Sequence, residues 1–219
     1  MISIGSGDAT VSVDADHGGR LAGLDVAGRQ MLLGRAPERG PMQWGSFPMV
    51  PWAGRVRRGQ FVFGGRQHDL PLDLPPHAIH GTAYRQRWYV ESVADDELSM
   101  SCELDWELGG RAWQRIEVDD TRLTCVLGVA AGDDAMPAEI GWHPWFSKPE
   151  SLSFRPSSMY VRDGDGIARQ VGGDQVRVVV RRRHEPAPSP RRSRARRDDL
   201  LAILSALSPD RAMPIDGPN

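Results

Sequence analysis

The 219-residue chain contains few cysteines and lysines and no long apolar run, and each of these features excludes some classes of protein. Its two cysteines, Cys102 and Cys125, lie in segments where apolar and polar residues alternate. Such positions favour small buried thiols over a disulfide or a metal site. The chain has no apolar run long enough for a transmembrane helix, and residues 1–8 lack the basic start and apolar stretch of a signal peptide. We therefore expect a cytoplasmic protein with no membrane partner.

Lysine is nearly absent, because Lys148 is the only lysine among 27 basic residues. The arginines are spread unevenly. Residues 161–219 carry 12 Arg and 8 acidic residues, a net charge of +4, whereas residues 1–160 hold 15 basic and 21 acidic residues. The small excess of positive charge in residues 161–219, with Asp among the arginines, is a weak signal for nucleic acid binding. We expect no nucleic acid partner.

Long helices are not predicted, since 24 Gly and 17 Pro indicate many turns. What is present is alternation of period two. Residues 9–35 contain short strand patterns separated by glycine turns, and residues 88–104 and 113–129 alternate apolar with polar residues. Half-buried antiparallel strands show this pattern. The fold class is therefore predicted to be all-β, a large antiparallel β-sandwich.

Three segments interrupt the strand patterns and carry the notable polar residues. Segment 36–59 is too rich in Pro and Gly for a central strand and too apolar for a solvated loop, so we expect it to line a site. Segment 71–81 is a second proline-rich loop, and it carries His77 and His80. The third, Ala138–Phe146, reads Ala-Glu-Ile-Gly-Trp-His-Pro-Trp-Phe. Its His143 is followed by proline and flanked by tryptophans, which restricts its position. A positioned histidine serves as an acid, a base or a metal ligand.

Each of these side chains also has a purely structural interpretation. His143 could be a satisfied histidine in an aromatic cluster, Arg55 a solvated charge, and His77 a residue that only shapes its loop. His68 follows the Gly64-Gly65 hairpin signal, where solvent exposure is expected. A zinc site formed by His77, His80 and His143 is conceivable, but it lacks the Cys or carboxylate spacing of common zinc sites.

Three ordered motifs make the sequence similar to a known family. They span residues 45–55 (Gly-Ser-Phe-Pro-Met-Val-Pro-Trp-Ala-Gly-Arg), 77–81 (His-Ala-Ile-His-Gly) and 141–146 (Gly-Trp-His-Pro-Trp-Phe). From about Gly19 to about Gly166 the chain resembles the aldose 1-epimerases, or galactose mutarotase-like proteins. The resemblance implies a galactose mutarotase-like supersandwich and interconversion of the α and β anomers of an aldose. It also implies no metal and no organic cofactor, and a small sugar, an aldohexose or a sugar phosphate, as the partner.

The resemblance also implies roles for individual residues. His143 corresponds to the histidine that protonates the sugar ring oxygen, and Arg55 and His80 correspond to residues that hold the sugar. Trp52 and Trp142 are further candidates for substrate binding, as rings that face the sugar. Opening a hemiacetal requires a proton on the ring oxygen while another leaves the anomeric hydroxyl. One acid and one base are therefore required.

The base is not found in this sequence. The family places it on a late strand in a Glu-Pro motif, and Glu185-Pro186 matches only those two letters, among arginines and prolines. We predict a β-sandwich domain over residues 1–166 that lacks its last strands. Residues 167–219 are then an Arg- and Pro-rich divergent tail, either disordered or the product of a reading-frame shift near residues 167–175.

Three functional hypotheses follow. The first is an aldose 1-epimerase-like enzyme, impaired if its base is missing. The second is a non-catalytic carbohydrate-binding or sensing domain on the same fold. The third is a chain that does not fold stably without its last strands. The sequence does not fix the sugar or the oligomeric state.

Overall fold

The computed structural model describes residues 1–148, 151–154, 159–171 and 178–181, and side chains within residues 1–148 and 162–168. Strands dominate this part of the chain, and its helical content consists of the short 3-10 turns Ala15–His17, Arg57–Gly59 and Ala83–Arg85. The all-β, antiparallel sandwich predicted from the sequence is therefore confirmed. Within these residues no helix has the length and apolar character needed to cross a bilayer.

The first half of the described chain holds short strands: β1 (Ile2–Ser6), β2 (Ala9–Asp14), β3 (Arg20–Val26), β4 (Arg29–Gln30), β5 (Ser46–Met49), β6 (Arg55–Val56), β7 (Gln60–Phe63), β8 (Arg66–Asp69) and β9 (Ala78–Ile79). The second half holds β10 (Tyr89–Val93), β11 (Glu97–Glu103), β12 (Arg111–Val118), β13 (Leu123–Ala130), β14 (Gly141–Pro144), β15 (Ser151–Phe154), β16 (Met159–Arg162), β17 (Ala168–Val171) and β18 (Val178–Arg181).

Two larger sheets form the sandwich. One has six strands in the order β1-β2-β3-β5-β14, with β4 paired to β3, and the other is the meander β10-β11-β12-β13. Smaller pairs join β6 to β9, β7 to β8, β15 to β18 and β16 to β17. The meander follows the alternation in the sequence: Ile116 on β12 is opposite Leu98 on β11 and Cys125 on β13.

The core fills the space between the two larger sheets. Val11 and Val13 of β2, together with Leu98, Met100 and Ile116 of the meander, are fully buried and belong to one apolar cluster. Burying a side chain of this size stabilises the fold by about 1.5–3 kcal/mol. The core therefore holds the six-stranded sheet, which carries β5 and β14, in a fixed position against the meander.

A buried polar link joins the two sheets. Gln114 of β12 is 1% exposed, and its side-chain amide donates to the carbonyl of Gly19 at 2.6 Å. Both cysteines are free, and burial raises the pKa of Cys102 and of Cys125 to about 12. Cys102 is buried, as expected, whereas Cys125 is half-buried.

The prediction that segment 36–59 contains no central strand was wrong. Residues Ser46–Met49 form β5, which pairs with β14 along its length and contacts β3 at Leu21 opposite Ser46. A proline is tolerated inside this strand because the ladder to β3 ends before Pro48, so the missing amide hydrogen costs no bond on that side.

Part of the predicted tail forms strands. β17 and β18 both begin after residue 166, and the turn Asp163–Ile167 connects β16 to β17. Residues 182–219, with Glu185 among them, lie outside the described residues. The division into a domain at 1–166 and a tail at 167–219, the loss of the last strands and the frame shift stay predictions.

Candidate active site

His143 is positioned by the pairing of β5 with β14. The register places His143 opposite Phe47 and Trp142 opposite Pro48. Because side chains alternate along a strand, His143 and Phe47 share one face of the sheet. The His143 ring stacks on Phe47 at a centroid distance of 4.9 Å and an interplanar angle of 7°, and on Trp145 at 5.5 Å and 28°. Two aromatic rings thus hold the imidazole.

His80 is positioned by an unusual backbone conformation. Its φ is +61°, and Gly81 follows with φ +74°. A Cβ at Gly81 would lie 1.9 Å from the carbonyl oxygen of Val50, so the chain at 81 must be glycine to approach residue 50 this closely. The loop is further tied to residue 54, since the His80 amide donates to the Gly54 carbonyl at 3.0 Å.

The hydrogen bonds of His80 also fix its tautomer. The Gly54 amide donates to Nδ1 of His80 at 3.1 Å, so Nδ1 accepts and the proton of the neutral ring resides on Nε2. Burial lowers the pKa of His80 to about 4, with further repulsion from His143, Arg162 and Arg55. At neutral pH His80 is therefore an uncharged hydrogen-bond donor.

The two histidines lie next to each other. Their ring centroids are 5.0 Å apart with an interplanar angle of 71°, and Phe47 contacts both rings. Burial, and the nearby charge of Arg162, lower the pKa of His143. Burial is the larger of these two causes. The Nδ1 atom of His143 is enclosed without a hydrogen-bond partner from another residue.

Arg55 begins β6 and lies beneath the turn after β16. Its Nη1 donates to the carbonyl of Asp165 at 3.4 Å, while its Nε is buried without a partner. A Cβ at Gly166 would lie 1.6 Å from Nη1, so a side chain there would displace the Arg55 guanidinium. Arg57 is ion-paired with Asp163 and Asp165, which holds the turn over β6.

The two tryptophans named from the sequence lie in apolar clusters. Trp142 packs against the main core, on the opposite face of β14 from His143. Trp52 is 8% exposed, tilts against Trp106 at 5.9 Å and packs with Leu70 and Ala78. The structure thus brings His143 and His80 together, places Phe47 and Trp145 against His143, and places Trp52 and Trp142 in the packing around them.

His77 and His68 have structural contacts. His77 accepts a hydrogen bond from the Arg58 amide at 3.1 Å, at a residue with φ +53°. His68 is 3% exposed, stacks on Phe61 at 5.0 Å and contacts Glu107 at 3.0 Å. The exposure expected for His68 was wrong, because Phe61 and Glu107 enclose a side chain that a lone hairpin would leave in solvent.

Sequence reasoning missed two participants. Phe47 stands in the Gly-Ser-Phe-Pro motif, and a β5–β14 register would have placed it beside His143. Arg162 lies at the end of β16, a strand that no motif marked, and it acts through its charge on both histidines. Among the described residues, no carboxylate lies within ion-pair distance of His80, His143 or Arg55. The base stays unassigned.

The two-sheet antiparallel β-sandwich has the fold of the galactose mutarotase-like class. The sequence profile described as Aldose 1-epimerase matches residues 1–158, most of the chain. The chain belongs to the aldose 1-epimerase family.

Several known proteins are similar to this chain. The chain is 33% identical over 104 residues to the uncharacterized protein YphB of Escherichia coli K12, covering 46% of this chain and 36% of that protein. A structure from the same organism with a provisional aldose 1-epimerase assignment has a TM-score of 0.68 at 24% identity, covering 86% of this chain and 66% of its own.

A GalM/aldose epimerase homologue from C. elegans has a TM-score of 0.62 at 19% identity, covering 77% of this chain and 60% of that one. At such identities these likenesses concern the fold. The chain spans from about a third to just under two thirds of the length of these relatives.

Proposed function

We propose that the protein interconverts the α and β anomers of an aldose, with His143 as the general acid and with His80 and Arg55 holding the sugar. The observation that supports this most strongly is the packing of the His80 and His143 rings at 5.0 Å in a family that acts on small sugars. Two imidazoles of different protonation behaviour in one site suit a reaction that needs both a fixed donor and a proton carrier.

The proposed chemistry opens and recloses the pyranose ring. The imidazolium of His143 gives its proton to the ring oxygen, the bond between that oxygen and the anomeric carbon breaks, and the anomeric hydroxyl loses its proton to a base. Rotation of the resulting aldehyde and reversal of these proton transfers close the other anomer. Because the pKa of His143 is lowered, its imidazolium is a stronger acid than a free one, though less populated at neutral pH.

His80 and Arg55 are proposed to orient the sugar. His80 offers one N–H from Nε2, since Nδ1 is occupied by the Gly54 amide. Arg55 carries an unpartnered buried N–H at Nε, a group that gains a hydrogen bond when a hydroxyl enters. Trp52 also has an unpartnered buried N–H at Nε1, so its predicted role in substrate binding stays a proposal that requires some repacking.

A non-catalytic sugar-binding domain is the second candidate, and one observation favours it. Within the described residues His80, His143 and Arg55 have no carboxylate partner, so a base is not in view. Polarimetry of freshly dissolved α-galactose separates the two. An enzyme raises the rate of mutarotation above the spontaneous rate, whereas a binding domain shows heat of binding in calorimetry without acceleration.

The cytoplasmic location stays a prediction, as do the identity of the aldose and whether it carries a phosphate. The same polarimetric assay with α-glucose ranks the two sugars. A difference in kcat/KM between them would come from hydrogen bonds to the hydroxyl in which they differ.

A further inference from the structure

A pocket beside the histidine pair contains a cluster of arginines. It has a volume of about 230 Å³, and its lining includes Arg20, Arg35, Arg39, Arg85 and the ring of Trp44. Phe47 separates it from the catalytic histidines, because the Phe47 ring lies 5.3 Å from the Arg20 guanidinium carbon and 4.9 Å from His143. The proposed sugar chemistry uses none of these arginines.

The inner end of this pocket is built around Arg20. Its side chain is 1% exposed and donates to four carbonyls, those of His17, Pro41, Trp44 and Tyr84, at 2.6 to 3.2 Å. These carbonyls satisfy its hydrogen bonds but carry no net charge. Within the described part of the chain no carboxylate forms an ion pair with Arg20. The charge of Asp14 favours the Arg20 guanidinium from beyond ion-pair distance. A buried cation with no carboxylate in contact still favours an anion nearby.

Arg35 and Arg39 add positive charge at the outer end of the pocket. Arg35 lies over the Trp44 ring at 5.9 Å and Arg20 at 4.2 Å, so the ring supports two guanidinium groups. Arg35 also donates to Nε2 of His17 at 3.3 Å, and Arg39 donates to the Gly34 carbonyl at 2.6 Å. Among the described residues neither Arg35 nor Arg39 has an ion-pair partner.

The acidic groups around the pocket leave an excess of positive charge. Asp14 contacts His17 at 3.0 Å, and Asp73 is paired with Arg85. Each of these carboxylates is therefore already engaged with a neighbour. Arg20, Arg35 and Arg39 remain as cations whose charge no described carboxylate neutralises at contact distance.

We propose that this pocket binds a phosphate group, either as free phosphate or as the phosphate of a sugar. Guanidinium groups match phosphate oxygens in geometry and keep their charge at all relevant pH values. The volume of about 230 Å³ admits a phosphate with a small attached group. For a phosphate ester, binding weakens as the pH falls through its second pKa, about 6, because the dianion becomes a monoanion.

The test is calorimetric titration of the full chain with inorganic phosphate at about 0.1 M chloride, where exposed charges are already partly screened. We expect a dissociation constant below about 1 mM, and a value above that overturns the proposal. The variant Arg35→Gln/Arg39→Gln should weaken binding about tenfold or more, through loss of two charge-assisted hydrogen bonds. The exposed pair Arg29→Gln/Arg122→Gln, outside the pocket, removes the same charge and should leave the affinity unchanged.

A thermal transition close to that of the wild type shows that each variant is folded. Equal weakening of phosphate binding by both double variants would mean that only net charge matters and would overturn the site.

Titration with a hexose 6-phosphate identifies the source of the phosphate. Affinity equal to that of inorganic phosphate, and unchanged in His143→Asn, assigns free phosphate to the pocket. A dissociation constant lower than that of inorganic phosphate, which returns to the inorganic phosphate value in His143→Asn, shows that the pocket binds the phosphate of the sugar. Neither titration requires turnover, so failure of the epimerase proposal is separately visible.

Discussion

The rings of His80 and His143 lie 5.0 Å apart, with His80 nearly perpendicular to its neighbour at 71°. Two positive charges at this distance repel each other, so the site holds one imidazolium at a time. The hydrogen bond from Gly54 fixes His80 as the neutral donor. The proton that moves during sugar ring opening therefore belongs to His143 in our proposal.

Stability should fall as the pH is lowered, because the folded state resists protonating His80. An unfolded histidine takes up its proton near pH 6.5, whereas burial holds the pKa of folded His80 at about 4. Between these values the unfolded state binds more protons and is favoured. We expect His80 to contribute a loss of about 1–2 kcal/mol in the free energy of unfolding from pH 7 to pH 4.5, discounting for its solvent-exposed part.

Urea unfolding of wild type and His80→Asn at the two pH values measures this contribution. Asparagine tolerates the positive φ at residue 80, so the variant removes the imidazole and keeps the backbone. Carboxylates contribute equally to the pH dependence of stability in both proteins. The pH-dependent loss should be smaller in His80→Asn, and identical losses in the two proteins would contradict the assignment.

Gly81→Ala should be strongly destabilising. The added Cβ would lie 1.9 Å from the Val50 carbonyl oxygen, and the alanine backbone would have to adopt a positive φ. Gly28→Ala is the matched control, because Gly28 has φ +77° and no atom near its Cβ position. We expect the control to lower the free energy of unfolding by about 1 kcal/mol, from backbone strain alone. Gly81→Ala should lower it by at least about 3 kcal/mol, an exceptional value for one substitution. Equal costs in thermal or urea unfolding would show that the approach of residues 50 and 81 is not tight.

Gly166→Ala should weaken sugar binding by displacing Arg55. A Cβ at residue 166 would lie 1.6 Å from Nη1 of Arg55. Gly164, in the same turn, has open space at its Cβ position and serves as the control. Calorimetry with galactose should show about tenfold weaker binding for Gly166→Ala, the loss of one charge-assisted hydrogen bond. If Gly164→Ala and Gly166→Ala bind equally well, Arg55 does not hold the sugar.

Mutarotation should also depend on pH. Because the acid form of His143 is required and its pKa lies below the ordinary value of 6.5, kcat/KM should rise as the pH is lowered from 8 to 6. The spontaneous rate at each pH is subtracted in the polarimeter. A kcat/KM that rises toward alkaline pH would mean that the imidazolium is not the acid.

The fold was predictable where residue alternation is regular. Leu98, Met100 and Ile116 mark the inner face of the meander, and the structure buries all of them. The sequence failed at Ser46–Met49, since composition cannot reveal that the ladder to β3 stops before Pro48. It failed again at His68, because burial by Phe61 and Glu107 depends on tertiary contacts that the hairpin pattern does not contain.

The site was predictable to the extent that its residues stand in motifs. His80 and His143 come from separate motifs, and the structure places their rings in contact. The environment of the tryptophans was not predictable, because the face of β14 on which Trp142 lies depends on the register with β5. Arg162 carries no local signal at all, since its effect is electrostatic and arises from the fold.

The most direct test is polarimetric mutarotation of α-galactose by wild type and by His143→Asn, each checked for a wild-type thermal transition. The proposal predicts acceleration by the wild type and a fall of about a hundredfold or more in His143→Asn, the usual contribution of a general acid. Acceleration that survives in His143→Asn, or a folded wild type that binds galactose without accelerating its mutarotation, would contradict it.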